Sequence, residues 1–280
     1  MPTPVLGVPS DSNGNTATIA QDPPHALPEL CAKVHQKLEA FLKKEPATER
    51  VRQVQEQSRT SLGILEEALQ RYSQDELSLS YNGGKDCLVL LVLYLSALHS
   101  HATRTANGND AKHPPPPRLP KSLRAVYIMS SDPFQEVDDF VDSSLQTYHL
   151  DLARYAMPMK QAFQAYLDDH KDVKAIFVGT RRTDPHGATL EHFQATDRGW
   201  PAFMRIHPVI DWHYAEVWTF IRELEIPYCP LYDKGYTSLG GTTDTHPNPA
   251  LAKGGDGKGG YRPAFELIAD EEERLGRDWS

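Results

Sequence analysis

Between residues 76 and 179, short apolar runs alternate with stretches of helical period, which leaves few architectures open. LSLSY (77–81), LRAVYIM (123–129) and KAIFVG (174–179) read as strands, with LARYAM (152–157) as a shorter one. Helices are expected after the first of these, over about 134–147 and over about 160–170. Strands joined through helices form βαβ units with right-handed crossovers. The expected fold is therefore α/β, a parallel twisted sheet with helices on both faces. Past residue 181 the pattern loosens into polar loops, one helix over about 214–224 and a Gly-rich stretch, a loop-rich C-terminal appendage.

Upstream, residues 30–72 carry two runs of helical spacing with a break near Pro46, read as cladding on the main domain. Residues 1–26, rich in Pro, Ser, Thr, Asn and Gly, read as a disordered tail. The rest, 27–280, reads as one domain: N-terminal helices (30–72), a nucleotide-binding core (76–200) and a C-terminal part (201–280). Within the core, residues 100–120, with four consecutive prolines, read as a long polar loop.

Composition narrows the function classes. Of 280 residues, 39% are hydrophobic, enough for a buried core, and 29 Lys plus Arg stand against 38 Asp plus Glu. A formal charge of −9 argues against a nucleic-acid partner. The three cysteines, Cys31, Cys87 and Cys229, form no CxxC pair and no disulfide framework, which suits a reducing compartment. The apolar run over 87–98 is shorter than the ~20 residues a membrane span requires. The expectation is a cytoplasmic monomer with small-molecule partners.

SYNGGKDC (80–87) lies between a strand and a helix. Two glycines at such a junction let the backbone turn sharply and approach a phosphate closely. The helix start adds unpaired N–H groups and the positive end of its dipole. Lys85 supplies a charge, and Asp86 makes sense beside phosphates if Mg²⁺ lies between them. The segment lacks both GxxxxGK[ST] and GxGxxG spacing. Cys87 reads as a buried residue at the helix start.

Further motifs follow in order. GTRRTDP (179–185) continues a strand and should share a crevice with the first loop, because open parallel sheets bind ligands beyond their carboxyl ends. Its Arg181 and Arg182 suit anionic groups. In the stretch 195–221, Asp197, Trp200 and Arg205 offer a stacking ring and polar groups for a flat aromatic ligand, whereas Trp212 and Trp218 read as core. Four histidines, His186, His192, His207 and His213, lack metal-binding spacing and read as loop and helix-start residues, some lining the site. In DEEERLGR (270–277), Arg274 and Arg277 would share one face if helical and could clamp phosphate oxygens.

SYNGGKDC resembles the pyrophosphate loop, SGGxD[ST], of the PAPS reductase-like adenine nucleotide α-hydrolase superfamily, enzymes of which cleave ATP between the α and β phosphates. Together with GTRRTDP, TDRGWPAFMRIHPVIDW, GYTSLGG with PNPAL, and ERLGR, all in order over 76–278, it is similar to the fungal-type FAD synthase family. That resemblance implies transfer of AMP from ATP to FMN, giving FAD and pyrophosphate with Mg²⁺. It places Ser80, Tyr81, Asn82, Gly83, Gly84, Lys85, Asp86, Gly179, Arg181 and Arg182 on the ATP phosphates, with Mg²⁺ at Asp86. Asp184, Asp197, Trp200 and Arg205 then face the flavin. Asn82, Asp86, Arg274 and Arg277 serve the reacting phosphates. The alternatives are a sulfonucleotide enzyme, a reductase or a sulfate adenylyltransferase subunit, with the same loop, a tRNA-modifying enzyme, which the charge disfavours, or a non-catalytic flavin- or nucleotide-binding module.

Overall fold

A computed structural model describes residues 26–108, 119–254 and 259–278. Two amphipathic helices open it: α1 (Leu27–Lys43) and α2 (Glu49–Arg71). The break comes around Pro46, and α2 restarts behind Thr48, whose side chain accepts from the Val51 N–H. Then follow β1 (Leu77–Ser80), α3 (Lys85–Gly108), β2 (Leu123–Ile128), α4 (Gln135–Tyr148), β3 (Leu150–Tyr155), α5 (Met159–Asp169) and β4 (Ala175–Phe177). Two short strands, β5 (Phe193–Ala195) and β6 (Met204–Ile206), precede α6 (Tyr214–Glu223). Beyond α6, among the described residues, only 3-10 turns punctuate the loops, as the appendage reading expects.

The strands form one sheet in the order β3-β2-β1-β4-β6-β5. All pairings are parallel except β5 with β6, so the sheet is mixed at one edge. β5 and β6 escape sequence reading because, unlike β4, neither lies in a bounded apolar run. From β1 the chain winds outward through β2 and β3, then returns to the other side of β1 as β4. That reversal opens a crevice beyond the carboxyl ends of β1 and β4.

Alternate side chains of each strand enter different cores. Ala175 and Phe177 pack with α3, α4 and the N-terminal helices, whereas Val126 and Ile176 pack with Phe163 and Tyr166 of α5. Helices therefore cover both faces. α3 is the central one: Leu88, Leu90, Leu91, Leu93, Leu95 and Leu98 are wholly buried. Each contributes roughly 1.5–3 kcal/mol by leaving water.

α3 corrects two expectations. It runs on through Gly108, so residues 100–108 are helix rather than loop, and residues 109–118 lie outside the described residues. Beyond residue 100, His101 and Arg104 are held by Glu66 of α2. Over Lys85–Thr105 it is also long and apolar enough to cross a membrane, but α1, α2 and α6 enclose it as a core helix. The tail read over residues 1–26 falls outside the described residues except for Ala26.

Candidate active site

The phosphate loop occupies the β1–α3 junction. Gly83 adopts φ +74°, and a Cβ there would lie 2.9 Å from Val141 Cγ2, so both its conformation and its surroundings require glycine. Asn82 Oδ1 accepts from Gly84 N at 3.0 Å and from the Cys87 thiol at 3.0 Å. Both bonds engage the amide oxygen and leave the amide nitrogen as a donor on a residue that lines both cavities. Burial pushes the Cys87 thiol up to about 12, so it stays a protonated donor in the loop. At Gly179 a Cβ would meet Cys87 N at 2.9 Å, so its absence lets β4 abut the start of α3.

Two cavities meet at this loop. One, of about 280 Å³, is lined by Gly84, Lys85, Asp86, Asp184, Ser238 and Arg274 among others. Its neighbour, about 440 Å³ and more apolar, lies on the α5 side of the sheet against Phe163, Trp200, Phe203, Arg205 and His207. Ser80, Asn82, Met159, Val178 and Thr180 line both.

A buried charge network closes the floor of the smaller cavity. Lys85 Nζ bonds Asp86 Oδ2 at 2.9 Å and also the Glu273 carboxylate. Arg181, with no exposed surface, meets Asp86 (Nε–Oδ1 2.9 Å), Asp184 (3.4 Å), Asp270 (3.8 Å) and Glu273. Burial opposes the charge on Lys85, yet Asp86 and Glu273 outweigh it and hold its pKa above the ordinary value. Burial likewise opposes ionisation of Asp86, but Arg181 and Lys85 hold its carboxyl below the usual range. Asp184 goes the other way, raised by burial and by the facing Asp86. Four carboxylates thus surround two cations, and Asp86 and Asp184 bring the excess negative charge to the cavity wall.

Several expectations change here. Arg181, read as a phosphate contact, is the buried counterion of this network and does not reach the cavity. Arg182 turns outward to Asp211 and to the carbonyls of Ala188 and Leu190. The Tyr81 ring is buried, its hydroxyl donating to Ser144 at 2.8 Å, which leaves no side chain for phosphate. Gly84 N–H is taken by Asn82, and Lys85 N–H donates to the Tyr232 hydroxyl at 2.9 Å, so the loop amides are partly engaged within the protein. Asp184, expected beside the flat ligand, lines the phosphate cavity instead.

The C-terminal arginines part company. Residues 270–277 form a 3-10 turn and hydrogen-bonded turns rather than an α-helix, so spacing by three does not put Arg274 and Arg277 on one face. Arg274 lines the phosphate cavity, its pKa lowered by burial and by nearby Arg277. Arg277 braces the glycine loop, donating to Leu239 O at 3.1 Å and Asp244 Oδ2 at 2.9 Å. Asp197, Trp200 and Arg205 do gather on the larger cavity. Trp212 and Trp218 are core, 1% and 2% exposed. Of the histidines, His186 and His207 line the larger cavity, His192 accompanies Asp211, and His213 starts α6 against Asp270.

Sequence reasoning did not single out Thr180, Tyr232, Ser238, Asp270 and Glu273. Glu273 lies in a run of acids that looks like a solvated surface. Only the structure shows its carboxylate 6% exposed and its carbonyl accepting from Thr237 and Asn248.

Residues 76–166 and 154–247 match the family described as the phosphoadenosine phosphosulfate reductase domain. A probable FAD synthase of Schizosaccharomyces pombe is 40% identical over 246 residues, covering 88% of each chain. The chain belongs to the FAD synthase family. Candida glabrata FMN adenylyltransferase, solved with FMN and an ATP analogue, superposes with a TM-score of 0.83 at 28% identity over 92% of this chain and 99% of that one. Its complex with FAD and inorganic pyrophosphate gives 0.83 at 30% identity over 90% and 99%. This FAD synthase family member therefore shares the overall fold of those structures along nearly the whole of their length.

Proposed function

We infer that the protein is an FMN adenylyltransferase: it transfers AMP from ATP to the phosphate of FMN, giving FAD and releasing pyrophosphate. The observation that carries this is the shared wall between the two cavities. A charged, helix-capped cavity suits a triphosphate, and the apolar one beside it suits a flat ring system. FAD is a molecule that would run from one into the other. The relatives matching about nine-tenths of the chain carry this activity in their names, which sets it above the sulfonucleotide alternative.

Roles follow from position. The phosphate oxygen of FMN attacks the α-phosphorus in line as pyrophosphate departs. A phosphate monoester is already a competent nucleophile, so the protein contributes positioning and charge stabilisation rather than a strong base. Asn82 Nδ2 would donate to a phosphate oxygen at the junction of the cavities. Arg274 would neutralise charge on the reacting phosphates, and Ser238 with the α3 N-terminus would hold the pyrophosphate. Arg277 acts at one remove, fixing the glycine loop. Trp200, Asp197 and Arg205 would hold the flavin.

The excess of carboxylates over cations, with Asp86 Oδ1 buried and lacking an aligned hydrogen bond, fits a divalent cation. Asp86 and Asp184 would hold Mg²⁺ together with phosphate oxygens and water. When bound, the ion would supply positive charge to the phosphates. Three free, buried cysteines fit the cytoplasm, and two small-molecule substrates suffice for a monomer.

The test is incubation with ATP, Mg²⁺ and FMN, with chromatography for FAD and an assay for pyrophosphate. Equal amounts of both establish the reaction. ATP binding without FAD formation would leave only the nucleotide half of the reading.

A further inference from the structure

Asn82 and Cys87 stand at the two ends of the phosphate loop, five residues apart, and a hydrogen bond joins their side chains. Asn82 is exposed, so burial does not dictate which end of its amide faces the cavities. The two ends are alike in shape and opposite in chemistry: the oxygen accepts and the nitrogen donates. The nitrogen has no bond to the protein among the described residues. Orientation is therefore decided at the oxygen. There two donors converge, the Gly84 N–H and the Cys87 thiol, each at 3.0 Å. A flipped amide would set its own N–H groups against both donors and lose both bonds.

The thiol is suited to this. Cys87 is 5% exposed, and burial pushes its pKa up to about 12, so the proton stays on sulfur at neutral pH. Gly84 O lies 3.0 Å from the same sulfur, but it already accepts the Leu88 N–H at the start of α3. The main chain at Cys87 is pinned as well. A Cβ on Gly179 would lie 2.9 Å from Cys87 N and 3.1 Å from its Cα, so β4 abuts the residue. The Gly84 bond is a local turn that moves with the loop, whereas the thiol bond ties Asn82 to the helix.

We propose that Cys87 is a positioning residue for the reaction: its thiol proton, held on Asn82 Oδ1, keeps the amide turned so that Nδ2 donates to the reacting phosphates. A weak donor suffices, because it has only to select between two orientations of an amide that the turn already holds.

This rests on the FMN adenylyltransferase reading and on the donor role of Asn82, and the experiment separates them. Single-turnover rates of FAD formation are measured at saturating ATP and FMN, so that product release does not mask the chemical step. The chains are wild type, Cys87→Ala, Cys87→Ser, Asn82→Ala and the double variant Asn82→Ala with Cys87→Ala. Cys87→Ala should slow the step by roughly 3- to 10-fold, the worth of one modest hydrogen bond. Cys87→Ser keeps a donor and should return to within about twofold of wild type. In Asn82→Ala no amide is left to orient, so adding Cys87→Ala should slow the step by less than about 1.5-fold.

A thiol that only packs the helix start would leave Cys87→Ser as slow as Cys87→Ala. Its loss would also persist undiminished in the Asn82→Ala background, as a folding defect would. Either result overturns the proposal, as does a Cys87→Ala rate equal to wild type. An Asn82→Ala rate equal to wild type overturns it too, by taking Asn82 out of the reaction, and leaves the function intact. A wild-type chain that forms no FAD would remove the adenylyltransferase reading itself, and the positioning role with it.

Discussion

Glu273 and Lys85, 188 residues apart in sequence, meet through a buried ion pair at the base of the phosphate cavity. The bond ties the turn that carries Arg274 to the first residue of α3. One carboxylate thereby sets the distance between the two halves of the anion site. Glu273→Ala would leave Lys85 and Arg181 buried with less negative charge, which typically costs about 3–5 kcal/mol. Denaturant unfolding should show a loss of that size, and a shift below about 1 kcal/mol would assign the pair no structural weight.

Asp86→Asn retains the volume of the side chain and removes its charge. Turnover should fall by about 10²–10³-fold, the usual scale for removing a group that stabilises transition-state charge. Steady-state assays with FMN and ATP read it directly. Near-normal activity would take Asp86 out of the mechanism.

Asp184 offers a sharper case, because its carboxyl is raised by burial and by Asp86 rather than lowered. A carboxyl whose folded pKa exceeds its unfolded one weakens the fold as it ionises, so the cost appears as pH rises through the folded value. Asp184→Asn should therefore raise the melting temperature at neutral pH and lose that advantage in acid, where wild-type Asp184 is also neutral. The same variant should be a poor enzyme. Asp86 has the opposite sign. Its depressed pKa gives stability above the unfolded value, lost only as pH falls through the folded one. Melting curves of both variants across pH 3–8 separate the two signs.

Trp200, 39% exposed at the rim of the larger cavity, should affect flavin more than nucleotide. Trp200→Ala should raise the KM for FMN by roughly 2- to 10-fold, the worth of an aromatic contact, and leave that for ATP within about twofold. Parallel increases for both substrates would mark the ring as structural.

Chelation supplies a fifth check. Excess EDTA should abolish both turnover and the thermal stabilisation given by ATP, and added Mg²⁺ should restore them. Full stabilisation by ATP in EDTA would show that Lys85, Arg274 and the helix end bind the nucleotide without a cation.

How much of this was legible beforehand depends on what each residue does locally. β1, β2 and β4 were readable because their apolar runs are bounded and alternate with helices, and NGGKD because its glycines sit at a strand–helix junction. Asp197, Trp200 and Arg205 were readable as one cluster because β6 and the preceding turn bring neighbours in sequence together. Arg181 misled for the opposite reason. Its type suggests anion binding, but its partners Asp86, Asp270 and Glu273 come from distant segments, and only packing shows them closing around it. The end of α3 was hidden similarly, since Glu66 of another helix holds what local periodicity does not.

The wall common to the two cavities also bears on how a turnover ends. Each substrate would be gripped at one place, but the product would be gripped at both through a single covalent chain. If either half lets go, the other holds it close at a high effective concentration, and rebinding competes with escape. Pyrophosphate carries no such tether. It would leave as an independent ion, so rebinding would favour retention of the dinucleotide alone.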